Sequence, residues 1–176
     1  MARFTFVAVF VAALAGAVSA APIVARNAIV ARAFTELPYA QFQISDGVAG
    51  DAQAKAEAVC VDPFAGQDLA TIDSASFTAL KNMRSAAEDA EGDLFNPAID
   101  AASGAAADAL QVGKIQNKVL KLTCLKQARQ IELAQAQADG EDTADVQAKL
   151  ADTEKKLATN IATDKKSAGK TSQGVA

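Results

Sequence analysis

The chain has 176 residues and two cysteines, Cys60 and Cys124, with no histidine beside them. Without histidine there is no Ser-His-Asp or Cys-His nucleophile system and no histidine metal site. Two thiols alone make a poor zinc site, which wants four nitrogen or sulfur ligands. They can form a disulfide or remain as two buried thiols. A Cys60–Cys124 bond would close a loop of about 65 residues, worth on the order of 4 kcal/mol in the chain-entropy account.

The acids cluster without metal-binding order. Asp139, Glu141, Asp142 and Asp145 lack EF-hand spacing and read as a helix cap in a solvated loop. Glu88, Asp89, Glu91 and Asp93 read as an exposed helix end. Gly47-Val48-Ala49-Gly50 lacks the lysine and the preceding strand of a phosphate loop. Any two carboxylates can be imagined in a glycosidase. Aromatics are only 5% of the chain, however, and offer little for a sugar to stack on. No catalytic, cofactor-binding or metal-ligating residue is assigned, and a non-enzymatic protein is expected.

Lys114, Lys118, Lys121, Lys126 and Arg129 form a basic run with no acid among them. From Glu36 to Asp108 there are thirteen acidic and three basic residues; from Ala109 on there are eight and eleven. The run is either an interaction face for a polyanion or membrane surface, or a helix that neutralises the acidic half of its own bundle. The net charge of −4 and the lack of interleaved aromatics favour neutralisation and argue against nucleic acid.

The elements that position these residues follow a leader. Arg3 is succeeded by an apolar run from Phe4 to Val18, then by Val18-Ser19-Ala20. These are the three regions of a secretory signal peptide over residues 1–20, with cleavage after Ala20. The run of about 15 residues is short of the roughly 20 that span a bilayer, and no later segment is apolar enough for a membrane span. Export makes the disulfide the simpler fate of the cysteines. Residues 21–45 read as an exposed arm or short extended segment: Ala25 to Thr35 is either a short pro-segment or such an arm, with neither Arg26 nor Arg32 in a dibasic pair, and Tyr39 to Ser45 partly alternates and suits an extended piece packed across the helices as a lid.

Residues 46–166 read as a helical bundle domain and 167–176 as a flexible C-terminal tail. Asp46 is placed to cap a helix ending near Val61, before Pro63. Asp73 or Ser74 starts a second, to about Glu91. Asn96-Pro97 starts a third toward Leu110, weakened or kinked at Gly104 and Gly113. Ile115, Val119, Leu122 and Leu125 share one face of a helix from Lys114 to Ala138, stopped by Gly140; Leu120, Cys124 and Ile131 widen that face. Val146, Leu150, Leu157 and Ile161 give the last helix its stripe. The fold class expected is all-α: a small bundle of about four to five helices with a C-terminal antiparallel helical hairpin and one disulfide.

Several stretches carry a family resemblance. They include Ile44-Ser45-Asp46-Gly47-Val48-Ala49-Gly50, Phe95-Asn96-Pro97-Ala98-Ile99, and Gly113-Lys114-Ile115-Gln116-Asn117-Lys118-Val119-Leu120. With Ala87-Glu88-Asp89-Ala90-Glu91, Lys156 to Ile161 and Ala168 to Ser172, they resemble a group of small secreted proteins of filamentous ascomycete fungi. The resemblance implies a secreted or wall-associated protein, or an effector toward a host, and brings no active-site residues. The cysteine pair departs from the group's pattern, so the disulfide rests on the physical argument alone.

The expected function is therefore a secreted, non-enzymatic protein acting at the cell wall or spore surface, or as a host-interaction factor. Its partner would be a wall component or a host protein. The alternatives are an Ala-rich helical binder of lipid or hydrophobic surfaces and, less favoured, a two-carboxylate hydrolase. Intact mass of the exported protein is expected to place its first residue at Ala21; a chain that keeps Met1 overturns the leader.

Overall fold

Between Lys114 and Ile131 the apolar side chains recur at helical spacing, and this stretch forms the middle of the longest element. The computed structural model describes residues 33–176. The leader, its cleavage site, Arg26 and Arg32 lie outside the described residues. In chain order the elements are α1 (Tyr39–Phe42), β1 (Gly47–Val48), α2 (Ala52–Cys60), α3 (Ser74–Asp89), α4 (Asn96–Ala101), α5 (Gly104–Asp139), α6 (Ala144–Lys166) and β2 (Thr171–Ser172). A π-helical turn, Ala90–Phe95, joins α3 to α4.

The chain is an all-α bundle with one two-stranded clasp. Helices α2, α3 and α6 pack on α5, and α5 and α6 form the C-terminal hairpin. Gly140 ends α5 in the left-handed conformation, φ 73°, with its N–H turned back to the Ala136 and Gln137 carbonyls. Asp73 caps α3 by accepting from the Ser76 N–H at 2.8 Å. Leu80, Met83, Val119, Leu120 and Ile131 fill the core at 1% exposure or less. Cys60 and Cys124 are bonded, fully buried, with Cα atoms 5.0 Å apart, tying the end of α2 to the middle of α5.

Helix α2 is nine residues long and buries only Ala52, Ala56 and Cys60. A helix that short is marginal in water, and two alanines bury little area to hold it. Its first turn has no cap from its own sequence: Asp51 makes no capping bond and pairs instead with Lys55 at 3.0 Å. The cap comes from the other end of the chain. Asp164, in the last turn of α6 and 2% exposed, accepts from the Gly50 N–H at 3.1 Å and from the Ala52 N–H at 3.0 Å. A carboxylate there satisfies two orphan donors and meets the positive end of the helix dipole. Gln116, wholly buried on α5, reaches the same carboxylate at 3.4 Å and the Val48 carbonyl at 3.1 Å.

Several expectations are corrected. The segment before residue 46 is not an exposed arm from Phe34 on. Phe34 stacks at 4.9 Å on Phe64, Tyr39–Phe42 is one helical turn rather than extended, and Phe42 and Ile44 are buried. Asp46 does not cap α2, which starts six residues later; it accepts from the Gly174 N–H at 2.8 Å. The helix from Asn96 stops at Ala101, and Gly104 opens α5 instead of kinking a longer helix.

The tail is not free either. Residues 171–172 pair antiparallel with 47–48, and Ser172 is buried. The Gln173 N–H donates to the Ala109 carbonyl at 3.0 Å. This crossing explains Gly113, where α5 runs on without interruption: a Cβ there would overlap the Gln173 carbonyl.

Asp164→Ala strands the buried Ala52 N–H and the part-buried Gly50 N–H and is expected to cost about 2 kcal/mol in urea unfolding. Gly113→Ala should lift the last strand from α5, seen as lost amide protection at Ser172. An unchanged midpoint for the first variant would show that α2 does not depend on this cap.

Candidate functional site

Helix α5 carries all five residues of the basic run, and the structure disperses them. Lys118 and Lys121 both reach Glu91, at 3.1 and 2.6 Å, and all three side chains are at least two-thirds buried. Burial by itself raises the Glu91 carboxyl. The hydrogen bonds and charges of the two lysines outweigh it and hold the group below its ordinary range. The stabilisation they bring is thus present above the usual carboxylate range and is lost as acid protonates Glu91. Lys114 donates to Asn96 Oδ1 at 2.5 Å. Three of the five cations are therefore engaged by neighbouring elements of their own bundle.

The other two turn into separate grooves. Lys126 lines a groove between α2, α5 and α6 of about 340 Å³. Glu57 and Glu154 line it as well, the two carboxylates a hydrolase would need. Its remaining walls are Val61, Leu157, Ile161 and small or amide side chains; no aromatic ring lines it.

Arg129 lines a second groove of about 340 Å³ between α3, α5 and the start of α6. Phe77, Leu125 and Ala128 supply apolar surface. Lys81 Nζ sits 4.3 Å from the Phe77 ring centre, a cation–π contact. Arg84 is held by Glu88 at 2.6 Å and Lys149 by Asp145 at 2.5 Å. Arg129 makes no salt bridge among the described residues. Its Nε, like that of Arg84, is buried without a hydrogen-bond partner. Leaving such a donor unpaired costs about 1–3 kcal/mol, more for a charged group. The groove sets cationic side chains beside an apolar wall.

Residues 34–176 match the family described as a domain of unknown function, DUF8454. The chain belongs to that family. The match begins at Phe34, the residue that stacks on Phe64, and runs through the clasped C-terminal strand, so the DUF8454 domain includes both segments that the sequence pattern alone leaves outside the bundle. No curated protein and no solved structure matches the chain.

Two amides sit at the centre of the DUF8454 domain, outside every candidate residue that the sequence pattern offers. Gln116 and Asn117 are wholly buried on α5. Gln116 Oε1 lies 3.0 Å from Ser172 Oγ, which is also 2.6 Å from the Ser45 carbonyl; the single hydroxyl proton serves one acceptor at a time. Asn117 accepts from the Tyr39 hydroxyl at 2.9 Å and donates to the Ala87 carbonyl at 2.7 Å. The signal was present as two adjacent polar residues where the apolar face of α5 passes through the core.

Burial pushes the Tyr39 phenol up to about 12, with the Ser45 hydroxyl opposing and the Asp46 charge adding to it. A raised value means the folded protein holds this proton more tightly than the unfolded chain. Tyr39's contribution is therefore complete below pH 10 and is lost as pH rises toward 12. Tyr39 is the single tyrosine and there is no tryptophan, so ultraviolet titration reads one group. Its midpoint is expected near 12, with thermal stability falling over the same interval; a midpoint near 10 would mean the phenol is not buried against Asn117.

Proposed function

We propose that this protein is exported and works by contact rather than catalysis, at a fungal cell wall or spore surface or as a host-interaction factor. The observation that carries the reading is the leader pattern of residues 1–20, followed by a chain that closes on a buried Cys60–Cys124 bond. Disulfides persist in oxidising compartments and are rare in the cytosol. No helix among the described residues is long and apolar enough to cross a membrane, which is compatible with release. The absence of histidine from the whole sequence removes the commonest general base. The most buried acid, Asp164, is committed to capping α2. The resemblance to small secreted fungal proteins supports the wall or host setting.

Fractionation of a culture expressing the tagged chain tests this reading. The protein is expected in the medium or wall fraction, with both cysteines resistant to alkylation until reductant is added. Recovery in the cytosol with both thiols free would overturn it.

A further inference from the structure

The groove between α3, α5 and α6 is lined by Arg129, which makes no salt bridge among the described residues. Arg129 projects from mid-α5 with its Nε buried and unpartnered, and the Nε of Arg84 lies in the same condition. A guanidinium is always charged and offers a planar fork of donors that matches a carboxylate. Glu132, one turn further along α5, lines the groove but forms no salt bridge with Arg129.

Charge and size narrow the occupant. Lys81, Arg84, Arg129 and Lys149 face the single carboxylate of Glu132. Glu88 and Asp145 neutralise Arg84 and Lys149 from outside. One uncompensated positive charge is left, which suits a monoanion better than a phosphate dianion. Phe77, Leu125 and Ala128 give that charge an apolar neighbour. A volume of about 340 Å³ is near the lower end of small-molecule sites.

We propose that this groove binds a small amphiphilic carboxylic acid, its carboxylate on the Arg129 guanidinium and its apolar body against Phe77 and Leu125. Loading the acid sets a carboxylate against the one cation of the groove that lacks a salt bridge among the described residues, and covers the exposed part of the apolar wall. The site stands on the groove alone and does not require that the chain be exported.

Decanoate, kept below its micelle concentration, is titrated into the whole protein by calorimetry, with inorganic phosphate in a parallel arm. One saturable site is expected for decanoate and much weaker binding for phosphate. Arg129→Gln should weaken decanoate by about tenfold or more, the loss of a charge-assisted hydrogen bond. Arg129→Lys, which keeps the charge but not the fork, should fall between the two. Lys126→Gln, in the other groove, should bind as the parent does, and far-ultraviolet circular dichroism confirms that each variant is folded. Absence of saturable binding, equal affinity in a folded Arg129→Gln protein, or phosphate binding as tight as decanoate would each overturn the proposal.

Discussion

Helix α2 has too little apolar surface to hold itself in place, so it is fastened at its two ends. At its N-terminus the Asp164 carboxylate takes the N–H groups of Gly50 and Ala52. At its C-terminus Cys60 is bonded to Cys124. Between them only Ala52 and Ala56 touch the core completely. Both fastenings lead to the α5–α6 hairpin, so the position of α2 depends on where the hairpin holds Cys124 and Asp164. The clasp of β1 and β2 depends on the same contact, because Gly50 joins β1 to the cap.

The core of α5 is a mixture of apolar and amide side chains. Val119, Leu120 and Ile131 supply burial, while Gln116 and Asn117 direct hydrogen bonds to the segments that cross them. Buried amides tolerate few alternative arrangements, since each unpaired group would cost more than the bond contributes. The alanine-rich partners have the opposite effect. In α6 only Thr153, Leu157 and Asp164 are fully buried, so that helix lies on α5 along a narrow line. Space remains on either side of the line, and the two grooves occupy it. The frugal composition that makes the bundle thin is also what gives it recesses.

The main helices were legible because their signals are local. The apolar spacing of α5, the glycine that ends it and the stripe of α6 place the end of α5 and both ends of α6 to within a residue or two, while α5 begins at Gly104, well before the expected Lys114. The cysteine pair was legible as one of two outcomes, and bonding is the outcome found. What could not be read were features that depend on distant partners. Asp46 looks like a cap because it precedes a helix, yet the true cap is 112 residues beyond Ala52. Gly113 looks like a weakness in a helix, yet its missing side chain makes room for Gln173. The polar composition of residues 167–176 suggests a free tail, because two-residue strands carry no periodicity. For the candidate groove, Arg129 was legible as a cation, but its separation from Lys118 and Lys121 depends on where Glu91 lies.

The cap on α2 also bears on how the molecule comes into being. A ribosome delivers Ala52 long before Asp164, and Ser172 later still. Until those residues emerge, the first third of the described chain has its cysteine and its alanines but no acceptor for its leading amides. A nascent chain paused before Asp164 therefore carries α2 without its N-terminal cap, even where Cys124 is already present to bond Cys60. The domain closes when its last turn arrives, and a chain shortened by thirteen residues at that end would lose both the strand that clasps it and the carboxylate on which its beginning rests.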